Sequence, residues 1–400
     1  MGDVSPAQIK FKEAIRAILK NQSIQVTMFW KGRVALYAIL KAMNIQPGAE
    51  VILPAFTCVV VPNPIIYLGG IPIYVDIDPY TYNIDAGKIN SKITKKTQFI
   101  LAQNTYGLSS DFDSINDIAR SHEVRVIEDC AHGFGGSYKG RPNGTIAEAA
   151  FYSTQWNKPF TTGLGGIAVT SNQHIAAQLA DMENGFKQPS FLEVVLLKIL
   201  VLCRTYLLTP QTYWTGLRLY RWLSKYNLIL GSSQGKEMER PVKPINFEKG
   251  FSEYQAQRGL KELNNFKTIF QHRKKIASHY DKLLCVLGIE TPHVPPYAEH
   301  GYLKYPLLVK DRKALFTKAM ESRIELGDWF LSPIHPVNSN YEYWNYHWGE
   351  NPVAEKISQH VINLPTHLGV DNDYIEKIEK FLRKNRDNIF DSVSDCLKSK

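Results

Sequence analysis

The sequence predicts an α/β protein: a large, mainly parallel sheet domain with a smaller C-terminal α+β companion. Three observations carry this. Strand and helix patterns alternate over roughly the first 180 residues. The junctions between them hold turn and capping residues. A chain of 400 residues with 44% hydrophobic content can also bury one large core and a smaller one.

The opening, MGDVSPAQIKFKEAIRAILK, is polar and helical in period rather than a basic end followed by an apolar run, so it does not read as a secretory signal. Its nominal myristoylation pattern is spoiled by Pro6, which stands where that motif takes Ser or Thr. GRVALYAILKAM, from Gly32, has apolar residues at helical spacing; PGAEVILPAF gives a turn and a strand; IPIYVDID gives another strand ending in acidic residues. TQFILAQNT and VRVIEDCA are further strands, separated by DFDSINDIARSHE, whose Asp caps and apolar period predict a helix. Residues 1–186 are thus expected to form the large domain. Its ligands belong beyond the carboxyl ends of the strands.

Residues 191–230 break the alternation. FLEVVLLKILVLCRTYLLTPQTYWTGLRLYRWLSKYNLIL is apolar and aromatic, sets Lys198, Arg204, Arg218, Arg221 and Lys225 against Glu193 alone, and is divided by Pro210. Its charges argue against a transmembrane helix of about 20 apolar residues. A helical hairpin is expected instead, within an insert and linker spanning 187–244, with GSSQGKEMERPVKP as a flexible link. GFSEYQAQRGLKELNNFKTIFQHRKKIASHYDKLL predicts one long amphipathic helix or a pair, GYLKYPLLVK a strand and DNDYIEKIEKFLRKN a last helix, so 245–400 reads as the smaller domain.

The 47 basic and 38 acidic residues leave a formal charge of +9, which favours anionic partners. No Lys/Arg block concentrates that charge for DNA, so nucleic acid is not an expected partner. Cys58, Cys130, Cys203, Cys285 and Cys396 are odd in number, widely spaced and without a CxxC pair. They argue against a disulfide framework or zinc ribbon and for a reducing cytoplasm. The histidines lack ligand spacing, so no metal site is expected.

Three pieces carry chemistry. VIEDCAHGFGG ends a strand with Asp129, followed by small residues and His132; Glu128 points to the other side of the strand and reads as structural. FWKGRVAL opens a helix at Gly32, where unpaired N–H groups and the positive dipole end can hold a phosphate. FYSTQWNKPFTTGLGG places Lys158 in a loop with no carboxylate, close to Ser153. A strand-end carboxylate, a phosphate cradle and an isolated lysine are what a pyridoxal phosphate site needs. The amine forms a Schiff base with the aldehyde, the carboxylate pairs with the protonated pyridine nitrogen, and the cradle anchors the phosphate. Singly, each residue has a plainer reading: Lys158 a solvated charge, Asp129 a turn cap, His132 a core histidine, Arg33 a surface cation. The aromatic cluster YEYWNYHWGE and His335 read as a core edge in preference to a substrate loop.

In this order and spacing the chain resembles the DegT/DnrJ/StrS-type aminotransferases, pyridoxal phosphate enzymes that mostly aminate keto groups on nucleotide-linked sugars. The resemblance rests on PGAEVILPAFTCVVVPNPIIYLGGIPIYVDIDPYTYNID, ITKKTQFILAQNTYGLSSDFDSI, VIEDCAHGFGGSYKGRPNGT, FYSTQWNK with GLGGIAVTSN, and NLPTH. It implies the type I aminotransferase fold, a homodimer, glutamate as amino donor and a keto-sugar acceptor in polysaccharide or glycoconjugate synthesis. By position it makes Lys158 the Schiff-base lysine, Asp129 the pyridine-nitrogen partner, His132 the side chain beside the cofactor, and Ser153, with Gly32, a phosphate ligand. Arg33 stands where the family has a hydroxyl, a cation that still suits phosphate. Cys58, following Thr57, stands where an aromatic often stacks on the ring, and whether Phe56 substitutes for it is left open by the sequence. The Asn and Arg that the family contributes across its dimer interface have no match before FSEYQAQ.

Two rival readings follow. Some members of the family dehydrate sugars with a histidine at the lysine position, against which Lys158 argues; a non-enzymatic relative would bind a ligand or membrane assembly through the insert. In the insert, Leu196, Leu197, Ile199, Leu200 and Leu202 form too large an apolar surface to leave in water. The expected cover is the substrate-site rim or a partner subunit, ahead of lipid. Trp214, Tyr220 and Trp222 beside Arg218, Arg221 and Lys225 support the lipid alternative, which would make the enzyme peripheral to the inner face of a membrane.

Overall fold

The computed structural model describes residues 5–207, 209, 212–225, 229–230 and 235–399. Residues 1–4, Pro210 and the first part of the linker, 231–234, lie outside them, as do the side chains of Arg221 and Lys225.

Among the described residues a seven-stranded sheet organises the chain. Its strands are Gln25–Phe29 (β1), Glu50–Pro54 (β2), Ile71–Val75 (β3), Thr97–Gln103 (β4), Arg125–Asp129 (β5), Ala149–Ser153 (β6) and Gly166–Thr170 (β7), in the order β1-β7-β6-β5-β4-β2-β3. β3, β2, β4, β5 and β6 are parallel; β7 runs antiparallel to β6, and β1 antiparallel to β7. This is the α/β sheet that the alternating pattern predicts. The reversal at β7 arises because residues 154–165 contain no helix and return the chain directly beside the strand it left. Gly166 therefore stands opposite both Ser153 of β6 and Phe29 of β1. Asp129, at the end of β5, lies opposite Phe151 and Gln103. Several strand ends thus converge on one edge.

The Gly32–Ala42 helix is buried at every position but Lys41, because its apolar residues meet the sheet on one side and further chain on the other. Asp111 caps the Phe112–Ser121 helix, its Oδ1 accepting the Ser114 N–H at 3.4 Å, as the sequence predicts. The long amphipathic stretch is a pair of helices, Glu253–Asn264 and Phe266–Val286, meeting at Asn265. A second core joins Ile276 and Tyr280 of the latter to the antiparallel pair Tyr305–Leu308 and Val361–Leu364 and to the helices Arg312–Glu321 and Asn372–Lys384.

Packing also crosses between the two halves of the chain. Phe11, on the first helix, stacks on Phe251 with centroids 5.9 Å apart and planes 8° apart. Phe330, Ile334, Trp344 and Ala354 join the largest core, and Ile334–His335 pairs in parallel with Thr57–Cys58. Trp344 is fully buried and its Nε1 donates to Asn63 Oδ1 at 2.7 Å, so YEYWNYHWGE supplies core, as expected. The insert forms two helices, Phe191–Leu207 and Tyr213–Lys225. No described helix is long and apolar enough to cross a membrane.

Candidate active site

The site grows from the β6–β7 connection. Thr154 and Thr162 lock its base through their hydroxyls at 2.6 Å, and the Lys158 N–H donates to the Gln155 carbonyl at 3.0 Å. The start of the Gly32–Ala42 helix is pressed against this base. A Cβ on Gly32 would lie 2.9 Å from Ser153 Cβ, and one on Gly166 would lie 2.2 Å from the Lys31 carbonyl oxygen. Glycine at these two places lets the start of the helix, with its unpaired first N–H groups, close against Ser153. That close approach is a cradle for an anion.

Asp129 is buried, and its Oδ1 accepts the Ala131 N–H at 2.8 Å. Burial raises its pKa to about 6, against the opposing pull of that N–H and of Lys158. Glu128 faces the other way and accepts Asn104 Nδ2 at 2.9 Å, the structural role expected of it. His132 is buried, and burial, with Lys158 and Lys304 nearby, holds its pKa well below the ordinary value. Its Nδ1 accepts the Tyr106 N–H at 3.3 Å, so a neutral ring is held in one orientation.

The imidazole stacks on Trp329, centroids 4.9 Å and planes 4° apart, and Lys158 Nζ lies 4.4 Å from the centre of the same indole. Burial lowers the Lys158 pKa to about 8, with Cys58 and Asp129 opposing the shift and Lys304 adding to it. Lys158, Asp129 and His132, read from separate stretches, are thus brought together. Ser153 and Gly32 flank them at the helix start.

Two expectations resolve differently. Phe56 is fully buried, edge-on to Phe330 at 5.0 Å, and so faces the core; Cys58 is the half-buried neighbour whose thiol interacts with Lys158 and Asp129. Arg33 is buried and ion-paired with Glu237 at 2.6 Å. The Glu237 carbonyl accepts Asn63 Nδ2 at 3.1 Å and its carboxylate the Tyr67 hydroxyl at 3.3 Å. The segment expected to be a flexible link is therefore docked through residues 235–238, because its Glu237 meets a buried cation. Its Gly, Ser and charged residues gave no hint of this.

Other residues at the site carry no sequence signal of their own. Trp329 is held by its N–H donating to Asn363 Oδ1 at 3.0 Å, within the NLPTH stretch, and by Tyr106, whose hydroxyl donates to the Trp329 carbonyl. Lys304 Nζ lies 5.6 Å from the Trp329 ring. Arg204, from the insert, donates to Asn157 Oδ1 at 2.8 Å, beside Lys158. Burial pushes the Glu325 carboxyl up, yet His367, 2.8 Å away, with Lys304 and Arg204 brings it below its ordinary value. Among the described residues no cluster suits a metal ion.

Known proteins resemble the chain over most of its length. Residues 5–192 and 229–383 match the model of the DegT/DnrJ/EryC1/StrS aminotransferase family. GDP-perosamine synthase of Caulobacter vibrioides is 27% identical over 350 residues, 87% of this chain and 82% of that protein. The UDP-2-acetamido-2-deoxy-3-oxo-D-glucuronate aminotransferase of Pseudomonas aeruginosa is 26% identical over 350 residues, with the same shares. Among solved structures, S. venezuelae DesV in complex with a ketimine intermediate superposes with a TM-score of 0.75 at 20% identity, covering 97% of this chain and 91% of that one. A DegT DnrJ EryC1 StrS aminotransferase from Brucella abortus gives 0.73 at 20% identity, covering 95% and 90%. The large mainly parallel sheet with its smaller C-terminal companion is thus an aminotransferase fold, and the chain belongs to the DegT/DnrJ/EryC1/StrS aminotransferase family.

Proposed function

We propose that this aminotransferase moves an amino group from glutamate to a keto group on a nucleotide-linked sugar, with pyridoxal phosphate at the Lys158 site. The observation that carries the reading is the half-buried Lys158 amine, brought to a pKa of about 8 beside the buried strand-end carboxylate of Asp129. The residues fit the cofactor. The Gly32 cradle, which a Cβ would fill, and the Ser153 hydroxyl suit its phosphate; Asp129 suits its ring nitrogen, and His132 and Cys58 its ring faces. Arg33, paired with Glu237, stands behind the cradle and orders the 235–238 turn against it.

When bound, the cofactor supplies an aldehyde to carry the amino group and a ring to take up electron density. Lys158 takes and returns a proton at Nζ, which its lowered pKa permits near neutral pH. Asp129, with a pKa of about 6, is predominantly anionic at pH 7 and holds a positive partner opposite it. His132, kept neutral, offers a flat face without a competing charge. Trp329 lies against the lysine amine, its ring centre 4.4 Å from Nζ.

Relatives named for GDP- and UDP-linked sugars support the acceptor class, as do the +9 charge and the Lys304 and Arg204 cations bordering the lysine loop. The same proposal takes the domains as 1–186, 187–244 and 245–400, and takes the enzyme as a cytoplasmic homodimer; the resemblance and its five free thiols support this. The test is amine transfer from glutamate to a panel of nucleotide-linked keto sugars, followed by mass spectrometry of the products. Transfer to one of them supports the reading, and a cofactor-loaded enzyme that aminates none overturns it.

A further inference from the structure

The Phe191–Leu207 helix is apolar on two opposite sides. Leu197 and Val201 are buried against Trp30, Trp156 and Leu164, over the lysine loop. Facing away from them, Leu192, Leu196, Ile199, Cys203 and Tyr206 follow at helical intervals and form one exposed stripe, with Leu192 71%, Ile199 49% and Tyr206 74% exposed. The following helix adds Leu219 and Trp222, 55% and 54% exposed, with exposed Arg218 beside them. Patches of this size mark contacts.

Charge selects the occupant. Between residues 191 and 225 the only acidic residue is Glu193, and it turns inward to an ion pair with Lys249. Lys198 lies over the Tyr254 ring at 5.3 Å, so among the described side chains the outward side offers the exposed Arg218 and no carboxylate of its own. A self-complementary contact with a second copy repeats the same patch on both sides and would oppose like charges. An anionic bilayer supplies the opposite charge, an apolar bed for the leucine stripe and a headgroup layer for Trp222. Trp214 does not take part, since its Nε1 donates to the Ile324 carbonyl at 3.0 Å. The two helices also fall almost wholly in the gap between the family-matched stretches, so they stand apart from the shared fold.

We propose that the outward face of these two helices docks in the plane of an anionic lipid surface. The inference is independent of the aminotransferase reading, because flotation needs no substrate. Full-length protein is floated with phosphatidylcholine vesicles that contain or lack phosphatidylglycerol, at low and high salt. Roughly tenfold more protein is expected with the anionic vesicles, and high salt should reduce it. Leu196→Glu/Ile199→Glu and, separately, Arg218→Glu should lower flotation severalfold while circular dichroism, melting temperature and sedimentation stay those of the wild type. Absence of flotation, equal flotation with both vesicles, or a changed oligomeric state in the Leu196→Glu/Ile199→Glu protein, which marks the face as a contact between copies, overturns the proposal.

Discussion

Lys158 Nζ lies 4.4 Å from the centre of the Trp329 indole, on which the His132 imidazole also stacks. Burial of the amine outweighs the attraction of the indole face for its charged form, so the pKa falls to about 8. Only the neutral amine attacks an aldehyde. The rate at which cofactor-free protein takes up pyridoxal phosphate should rise about tenfold per pH unit below 8 and level off above it, as followed by stopped-flow absorbance. Trp329→Ala should move that midpoint upward by admitting water. An unmoved midpoint would show that the indole does not set the lysine's environment.

Lys158→Ala should leave the circular dichroism spectrum unchanged and remove borohydride-trappable cofactor. Amination should fall by roughly a thousandfold or more, since the covalent link and the proton carrier go together. Near-normal turnover would assign the chemistry to another amine.

Asp129→Asn separates stability from function. The folded pKa of Asp129, about 6, lies above its ordinary 3.8, so folding takes up a proton between these values, and stability is lost as pH rises through 6. The amide removes that cost. Cofactor-free Asp129→Asn should be more stable than wild type at pH 7.5 by up to about 3 kcal/mol in urea unfolding, and its advantage should vanish near pH 4. With cofactor bound, its turnover should fall severely, because an amide does not hold a pyridinium.

Arg33→Ala removes the guanidinium 2.6 Å from the buried Glu237 carboxylate, a loss of about 3 kcal/mol. Arg33→Ala/Glu237→Ala should recover part of that stability, and the cycle of single and double variants measures the coupling. Glu237→Gln, which leaves the guanidinium uncompensated behind the cradle, should tighten pyridoxal phosphate binding in fluorescence titration. Weaker binding would place Arg33 outside the phosphate's reach.

By itself the sequence determined the α/β sheet and singled out the candidate site residues. Alternation of period places strand ends, the carboxylate closing VIED lies at one of them, and FYSTQWNKPFTTGLGG sets a lone lysine in a loop without a carboxylate. These signals are local, so they survive in one dimension. Only the tertiary structure decided that Trp329 covers Lys158, that Phe56 faces the core, that Glu237 meets Arg33, and that Lys304 and Arg204 border the lysine loop. The physical reason is that water exclusion and charge pairing are sums over neighbours from distant parts of the chain, and composition cannot show which neighbours a buried cation or an indole will find.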